Sequence, residues 1–272
     1  MVNYVLGKIE NLNQIKCFLF DMDGTINLGN TLIAGMEGFF EKLKASGRTF
    51  YLVTNNSSKD HQHYVAKMQR LGIDVGKEDI LISSDALVYY LKKKHSQAKL
   101  LVLGTPELVY TLQEGGLNVL EKGGERPDFI ILGFDMTLNY ESLATACRWI
   151  DKGVPYLATH PDVRCPIEGG EFLPDCGAMI ELIKTATSKS PQLIFGKPYH
   201  YLVDMVMERT GYSKDAIAMV GDRLSTDIAF GLNNELLSIL VLTGEATKED
   251  VKQGTIKPDL MLTHAAEILK YL

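Results

Sequence analysis

A chain of 272 residues holds one large domain or two modest ones, at about 100 to 200 residues per domain. It can bury about three-quarters of the surface its unfolded form would expose, so it needs neither disulfides nor a structural metal to fold. Apolar residues are 46% and charged residues 23%, which excludes a disordered or collagenous chain, and 28 basic against 34 acidic side chains leave a net charge of −6, the wrong sign for holding a nucleic-acid backbone.

Short β-branched or aromatic runs alternate with helical patterns from the first strand onward. Strands are expected at Ile15 to Phe20, Thr49 to Val53, Ile80 to Ile82, Leu100 to Leu103 and Phe129 to Leu132. The series continues with Pro155 to Ala158, Gln192 to Phe195, Ala216 to Val220, Leu237 to Leu242 and Asp259 to Leu262. Apolar runs of this length need cover on both faces, and segments such as Gly35 to Ser46 and Tyr199 to Thr210 have the helical spacing to supply it. The pattern predicts an α/β fold with mainly parallel strands. No fixed repeat, low-complexity tract or Ser/Gly/Pro linker divides the chain.

The first strand ends in Phe18-Leu19-Phe20-Asp21-Met22-Asp23-Gly24-Thr25. Strand periodicity points residues i and i+2 the same way, so Asp21 and Asp23 converge beyond the carboxyl edge of the sheet, where open α/β folds bind ligands. Two close carboxylates repel unless a cation lies between them, and hard oxygen donors suit Mg²⁺. The alternative is an acidic turn bent by Gly24. The second strand ends in Thr54-Asn55-Asn56-Ser57-Ser58, a neutral cradle for a phosphoryl group or else an ordinary helix cap. Phe195-Gly196-Lys197-Pro198 puts a lysine at another strand end. In Met219-Val220-Gly221-Asp222, Asp222 can add a third carboxylate to the metal site, while Asp227, five residues on, can orient a ligand water or a loop, or simply favour a helix N-terminus.

Taken together, these four strand-end clusters resemble, in order, the four motifs of the haloacid dehalogenase (HAD) superfamily. The resemblance implies a Rossmann-like, mainly parallel core from residues 1–83 and 185–272, with an inserted α/β cap of the C2 type at 84–184. Within the insert, Leu132 to Tyr140, Ala158-Thr159-His160-Pro161-Asp162 and Leu173-Pro174-Asp175-Cys176-Gly177-Ala178 are similar to the cap wording of the NagD-like, or para-nitrophenyl-phosphatase-like, family. Relatives commonly carry Asn where His160 stands and Gly where Asp175 stands. Phe134-Asp135-Met136-Thr137 echoes the first motif without its second aspartate or glycine and reads as a strand end in the cap. Trp149 and the Met and Tyr residues of Tyr199 to Arg209 read as packing.

The family's activity is Mg²⁺-dependent hydrolysis of small phosphate monoesters. By that resemblance Asp21 is the nucleophile that forms an aspartyl-phosphate, and Asp23 the acid and then the base. Mg²⁺ is held by Asp21, Asp23 through its backbone carbonyl, and Asp222, with Asp227 supporting. Thr54, Asn55, Asn56 and Lys197 hold the phosphoryl group, and Asp175 faces the substrate from the cap, as does His160 unless it is merely a loop polar group. A dehalogenase needs neither Asp23 nor Asp222, and a receiver domain needs no insert. A catalytically silent scaffold is the remaining alternative. The expected partner is a small phosphorylated metabolite, with no nucleic acid and no membrane. Pairing of two copies through the cap stays open, because relatives often dimerise there but the insert shows no apolar stripe marking an interface.

Cys17, Cys147, Cys165 and Cys176 have no Cys-x-x-Cys spacing and read as reduced thiols. Met1 to Gln14 has no apolar leader region, and no stretch approaches the ~18 apolar residues of a membrane span. A cytoplasmic protein is expected.

Overall fold

The computed structural model describes residues 9–121 and 124–272, so the first eight residues of the stretch read for a leader lie outside it. The chain opens with β1 (Cys17–Phe20), a hairpin of β2 (Asn27–Leu28) and β3 (Thr31–Leu32), α1 (Phe39–Ala45), β4 (Thr49–Thr54), α2 (His61–Arg70) and β5 (Ile80–Ile82). Next come α3 (Ser83–Lys94), β6 (Lys99–Leu103), α4 (Pro106–Glu114), β7 (Asn118–Val119), β8 (Phe129–Leu132), α5 (Tyr140–Asp151) and β9 (Tyr156–Ala158). A second hairpin, β10 (Arg164–Pro166) and β11 (Phe172–Pro174), precedes α6 (Cys176–Thr187) and β12 (Leu193–Ile194). The chain then runs through α7 (Tyr201–Thr210), β13 (Ile217–Gly221), α8 (Ala229–Asn233), β14 (Leu237–Val241), α9 (Lys248–Gln253) and β15 (Leu260–Leu262).

These elements form two units, one of residues 1–54, 62–81 and 197–272, the other of 55–61 and 82–196. The first contains a sheet in the order β15-β14-β13-β1-β4-β5. β1 pairs in parallel with β13 on one side and β4 on the other, with Phe20 level with Val220 and Leu52. All four residues of β1 are buried, as a strand covered on both faces must be. Phe20 meets Phe39 and Phe40 of α1 edge-on, both at 5.5 Å, so the helix is held by aromatic packing. The helix expected from Gly35 starts only at Phe39, because Gly38 adopts a left-handed φ of 64° that no helix can continue through.

The other unit has its own parallel sheet, β12-β9-β8-β6-β7. Its core includes Ile130, Leu132, Phe134, Tyr156 and Ile183, with Trp149 and Cys147 packed against it. The strand at Leu193–Ile194 pairs with β9, so it belongs to this sheet, although the sequence boundary at 184 would leave it with the core. All ten expected strands are present. The two hairpins and β7 are the strands that the sequence pattern did not show. No helix among the described residues is long and apolar enough to cross a membrane.

Candidate active site

Parallel pairing aligns the carboxyl ends of β1, β4 and β13, and the polar residues follow at once. Asp21 leaves β1 with its N–H donating to the Val220 carbonyl at 2.9 Å, Thr54 closes β4, and Asp222 follows Gly221 at the end of β13. Lys197 stands among them, 2% exposed, and its ammonium donates to Asp21 Oδ1 at 2.5 Å and to Asp227 Oδ1 at 2.7 Å. Asp227 is fully buried in a wide π-helical turn, Leu224–Ile228, in which the Ile228 N–H reaches back to the Arg223 carbonyl. Such turns recur at functional sites because they re-aim side chains that a regular helix would turn away.

The Asp222 carboxylate is enclosed by backbone. Its Oδ2 accepts from the Glu245 N–H at 2.7 Å, and a Cβ on either Gly24 or Gly244 would collide with it. Gly24 also has φ +94°, a conformation that side chains disfavour, so glycine there serves both the turn and the approach of the carboxylate. Gly244 lies just past the expected strand ending at Leu242, and that strand-end glycine was the available sequence signal for this wall of the site.

The Lys197 ammonium and the Arg223 guanidinium act on three carboxylates. Oxygens of Asp21, Asp222 and Asp227 all lie within 4.8 Å of one another. Burial pushes Asp21 up to about 8; Lys197 pulls against this, and Asp227 and Asp222 add to it. Burial, then Asp227, push Asp222 up to about 6. Burial works against the charged form of Lys197, but Asp21 and Asp227 outweigh it and hold the lysine above its usual value. Because Arg223 is shared with Glu245 and Asp21 and Asp222 both stay raised, the cluster is short of positive charge. A hard divalent cation among these oxygens would supply it, so Asp21 and Asp222 fit Mg²⁺ by donor type and by electrostatics.

Asp23 differs from its neighbour. Its carboxylate is 59% exposed and is held by the Lys67 ammonium and the Asn27 amide, outside the group of three. Sequence reasoning missed Lys67, which stands 44 residues away on α2 with no motif around it.

The remaining expected residues lie in the second unit. Asn56 Oδ1 accepts from the N–H and the hydroxyl of Ser58, an Asx turn in the loop ahead of α2, which begins only at His61, so Asn56 is not the helix cap considered from the sequence. Asn55 donates to Asp162 Oδ1 at 3.0 Å. His160 and Asp175 are not open polar contacts. They are 0% and 3% exposed, and His160 Nε2 meets Asp175 Oδ1 at 2.8 Å. The same Oδ1 accepts from the Cys176 N–H at 2.6 Å and caps α6, for which Pro174-Asp175 ahead of an apolar helix was a readable signal. The two positions that depart from the family wording thus form one bonded pair.

Residues 18–118 match the family model of haloacid dehalogenase-like hydrolases, and residues 194–268 match a second, HAD-hydrolase-like model. An acid sugar phosphatase of Staphylococcus aureus is 35% identical over 247 residues, covering 91% of this chain and 94% of that protein. The chain belongs to the haloacid dehalogenase-like hydrolases. Among solved structures of the family, the 4-nitrophenylphosphatase of Thermotoga maritima superposes with a TM-score of 0.91 at 40% identity, covering 96% of this chain and 98% of that one. The glycerol phosphate phosphatase of Mycobacterium tuberculosis, solved with magnesium, gives 0.85 at 30% identity, covering 95% and 78%.

Proposed function

We propose that the protein is a Mg²⁺-dependent phosphatase of small phosphate monoesters, working through an aspartyl-phosphate on Asp21. The observation that carries this reading is the buried lysine shared by Asp21 and Asp227 beside Asp222. A nucleophilic carboxylate pinned by an ammonium, in a cluster that still lacks positive charge, suits a dianionic phosphoryl group brought in with a divalent cation. Named relatives that act on sugar phosphate, glycerol phosphate and nitrophenyl phosphate support small esters as the substrate class, sugar and polyol phosphates first.

A carboxylate oxygen of Asp21 attacks phosphorus as the bond to the leaving oxygen breaks, and Asp23 delivers a proton to the departing alkoxide. Asp23 then takes a proton from the water that attacks the aspartyl-phosphate, which releases inorganic phosphate and restores Asp21. Lys197 keeps Asp21 in place and offsets charge on the phosphoryl oxygens, with Thr54 at the neighbouring strand end. Bound through Asp21, the Asp23 carbonyl and Asp222, Mg²⁺ supplies charge neutralisation between nucleophile and phosphate. The second unit, expected at 84–184, is read as the inserted cap and takes the part of substrate choice, since phosphate and metal are common to every ester.

The test is a panel of sugar, polyol and nucleoside monophosphates and para-nitrophenyl phosphate, run with purified protein. Turnover should vanish with chelator and return with Mg²⁺. Full turnover in excess chelator overturns the metal assignment, and turnover of no ester at all leaves the silent scaffold.

A further inference from the structure

Asp23 and the nucleophile are two residues apart but sit in different settings. Asp21 lies against a buried lysine, whereas Asp23 is 59% exposed, where a short carboxylate would ordinarily sample several rotamers. Here it does not stand alone. The Lys67 ammonium donates to both carboxylate oxygens, at 2.9 Å to Oδ1 and 3.0 Å to Oδ2, and so fixes the rotation of the carboxylate plane. Asn27 Nδ2 donates to Oδ1 at 2.6 Å and also to the Gly29 carbonyl at 2.8 Å. Asn27 is fully buried and its own Oδ1 has no hydrogen-bond partner, so its amide is oriented by those two donated bonds.

The lysine is itself held. On α2, where Tyr64 and Met68 are buried, the Lys67 side chain is only 13% exposed. Two donors on Oδ1 and one on Oδ2 leave Oδ2 as the less occupied oxygen, with lone-pair capacity to spare.

We infer that Lys67 is a positioning residue for Asp23: with Asn27 it locks the carboxylate plane and presents Oδ2 as the oxygen that passes the proton. This rests on the phosphatase reading above and adds to it a residue outside the four motifs. A general acid or base contributes ~10²–10⁴-fold only when it is within hydrogen-bond reach of the proton it moves, so a freely rotating carboxylate forfeits part of that factor.

The experiment compares wild type, Lys67→Met and Lys67→Arg on glycerol phosphate, whose alkoxide must be protonated as it leaves, and on para-nitrophenyl phosphate, whose leaving group departs readily without a proton. For Lys67→Met, kcat/KM on glycerol phosphate should fall by ~10- to 100-fold, and on para-nitrophenyl phosphate by less than about threefold. Hydrolysis of the phosphoenzyme needs Asp23 as base whatever the ester. Mixing Lys67→Met with para-nitrophenyl phosphate should therefore give a burst of about one nitrophenolate per chain, followed by slow turnover with kcat and KM lowered together. Lys67→Arg, which keeps a cationic donor, should recover most of the loss and stands in should the methionine variant fold poorly. An equal fall in kcat/KM on both esters without a burst, or no change on either, overturns the role of Lys67. A wild-type protein that hydrolyses neither ester overturns the phosphatase reading itself.

Discussion

Each unit gathers three side chains able to hold a metal, with ligand atoms within 4.8 Å of one another: Asp21, Asp222 and Asp227 in one, His160, Asp162 and Asp175 in the other. They differ in how their charge is met. In the second group Asp175 accepts from a helix N-terminus and from His160, His160 Nδ1 meets the Thr159 hydroxyl at 2.9 Å, and Asp162 accepts from Asn55. In the first, Lys197 and an Arg223 guanidinium shared with Glu245 meet three carboxylates, and two of these are still pushed well above the usual carboxylate range. Proximity of ligand-type residues is therefore a poor guide to chemistry. A group whose hydrogen bonds are made within the fold serves the fold, while one left short of charge is prepared for a ligand.

The largest test of that contrast is Asp21→Asn, which should lower kcat by at least ~10³-fold and leave no phosphoenzyme detectable after acid quench. A phosphoenzyme in this variant would place the nucleophile elsewhere. Next is Lys197→Met. Because the ammonium acts on the nucleophile and the phosphoryl group, kcat/KM should fall by a similar factor, ~10²–10³-fold, for every ester, and a loss confined to one ester would make it a specificity residue instead.

Asp175→Ala probes the satisfied group. It removes a helix cap worth about 1 kcal/mol and takes the partner from Nε2 of a buried histidine, so urea unfolding should show a loss of about 2–3 kcal/mol while turnover of para-nitrophenyl phosphate stays within about threefold. Stability unchanged with activity lost would move Asp175 into the first class.

The last test is in pH. Unfolded, Asp21 releases its proton near 3.8; folded and without metal it holds the proton up to about 8. The folded state thus binds an extra proton across that window, so this stabilisation is complete below pH ~4 and is lost as pH rises toward 8. The difference in melting temperature between metal-free wild type and Asp21→Asn should shift against wild type over the same range, and added Mg²⁺, which binds the ionised form, should reverse the trend. A difference that stays flat with pH would show that Asp21 is not short of positive charge.

Local periodicity alone determined the ten strands and the carboxyl ends at which Asp21, Thr54 and Asp222 appear, because an apolar run that stops at a polar residue marks both the strand and its exit. The motif wording added the nucleophile and the lysine. Tertiary structure decided what each polar group touches. It paired Lys67 with Asp23, bound His160 to Asp175, took Leu193–Ile194 into the second sheet and brought Gly244 against Asp222. Those partners are set by where separate elements pack, and a hydrogen bond between residues 15, 44 or 176 positions apart leaves no period in the chain for a sequence reading to find.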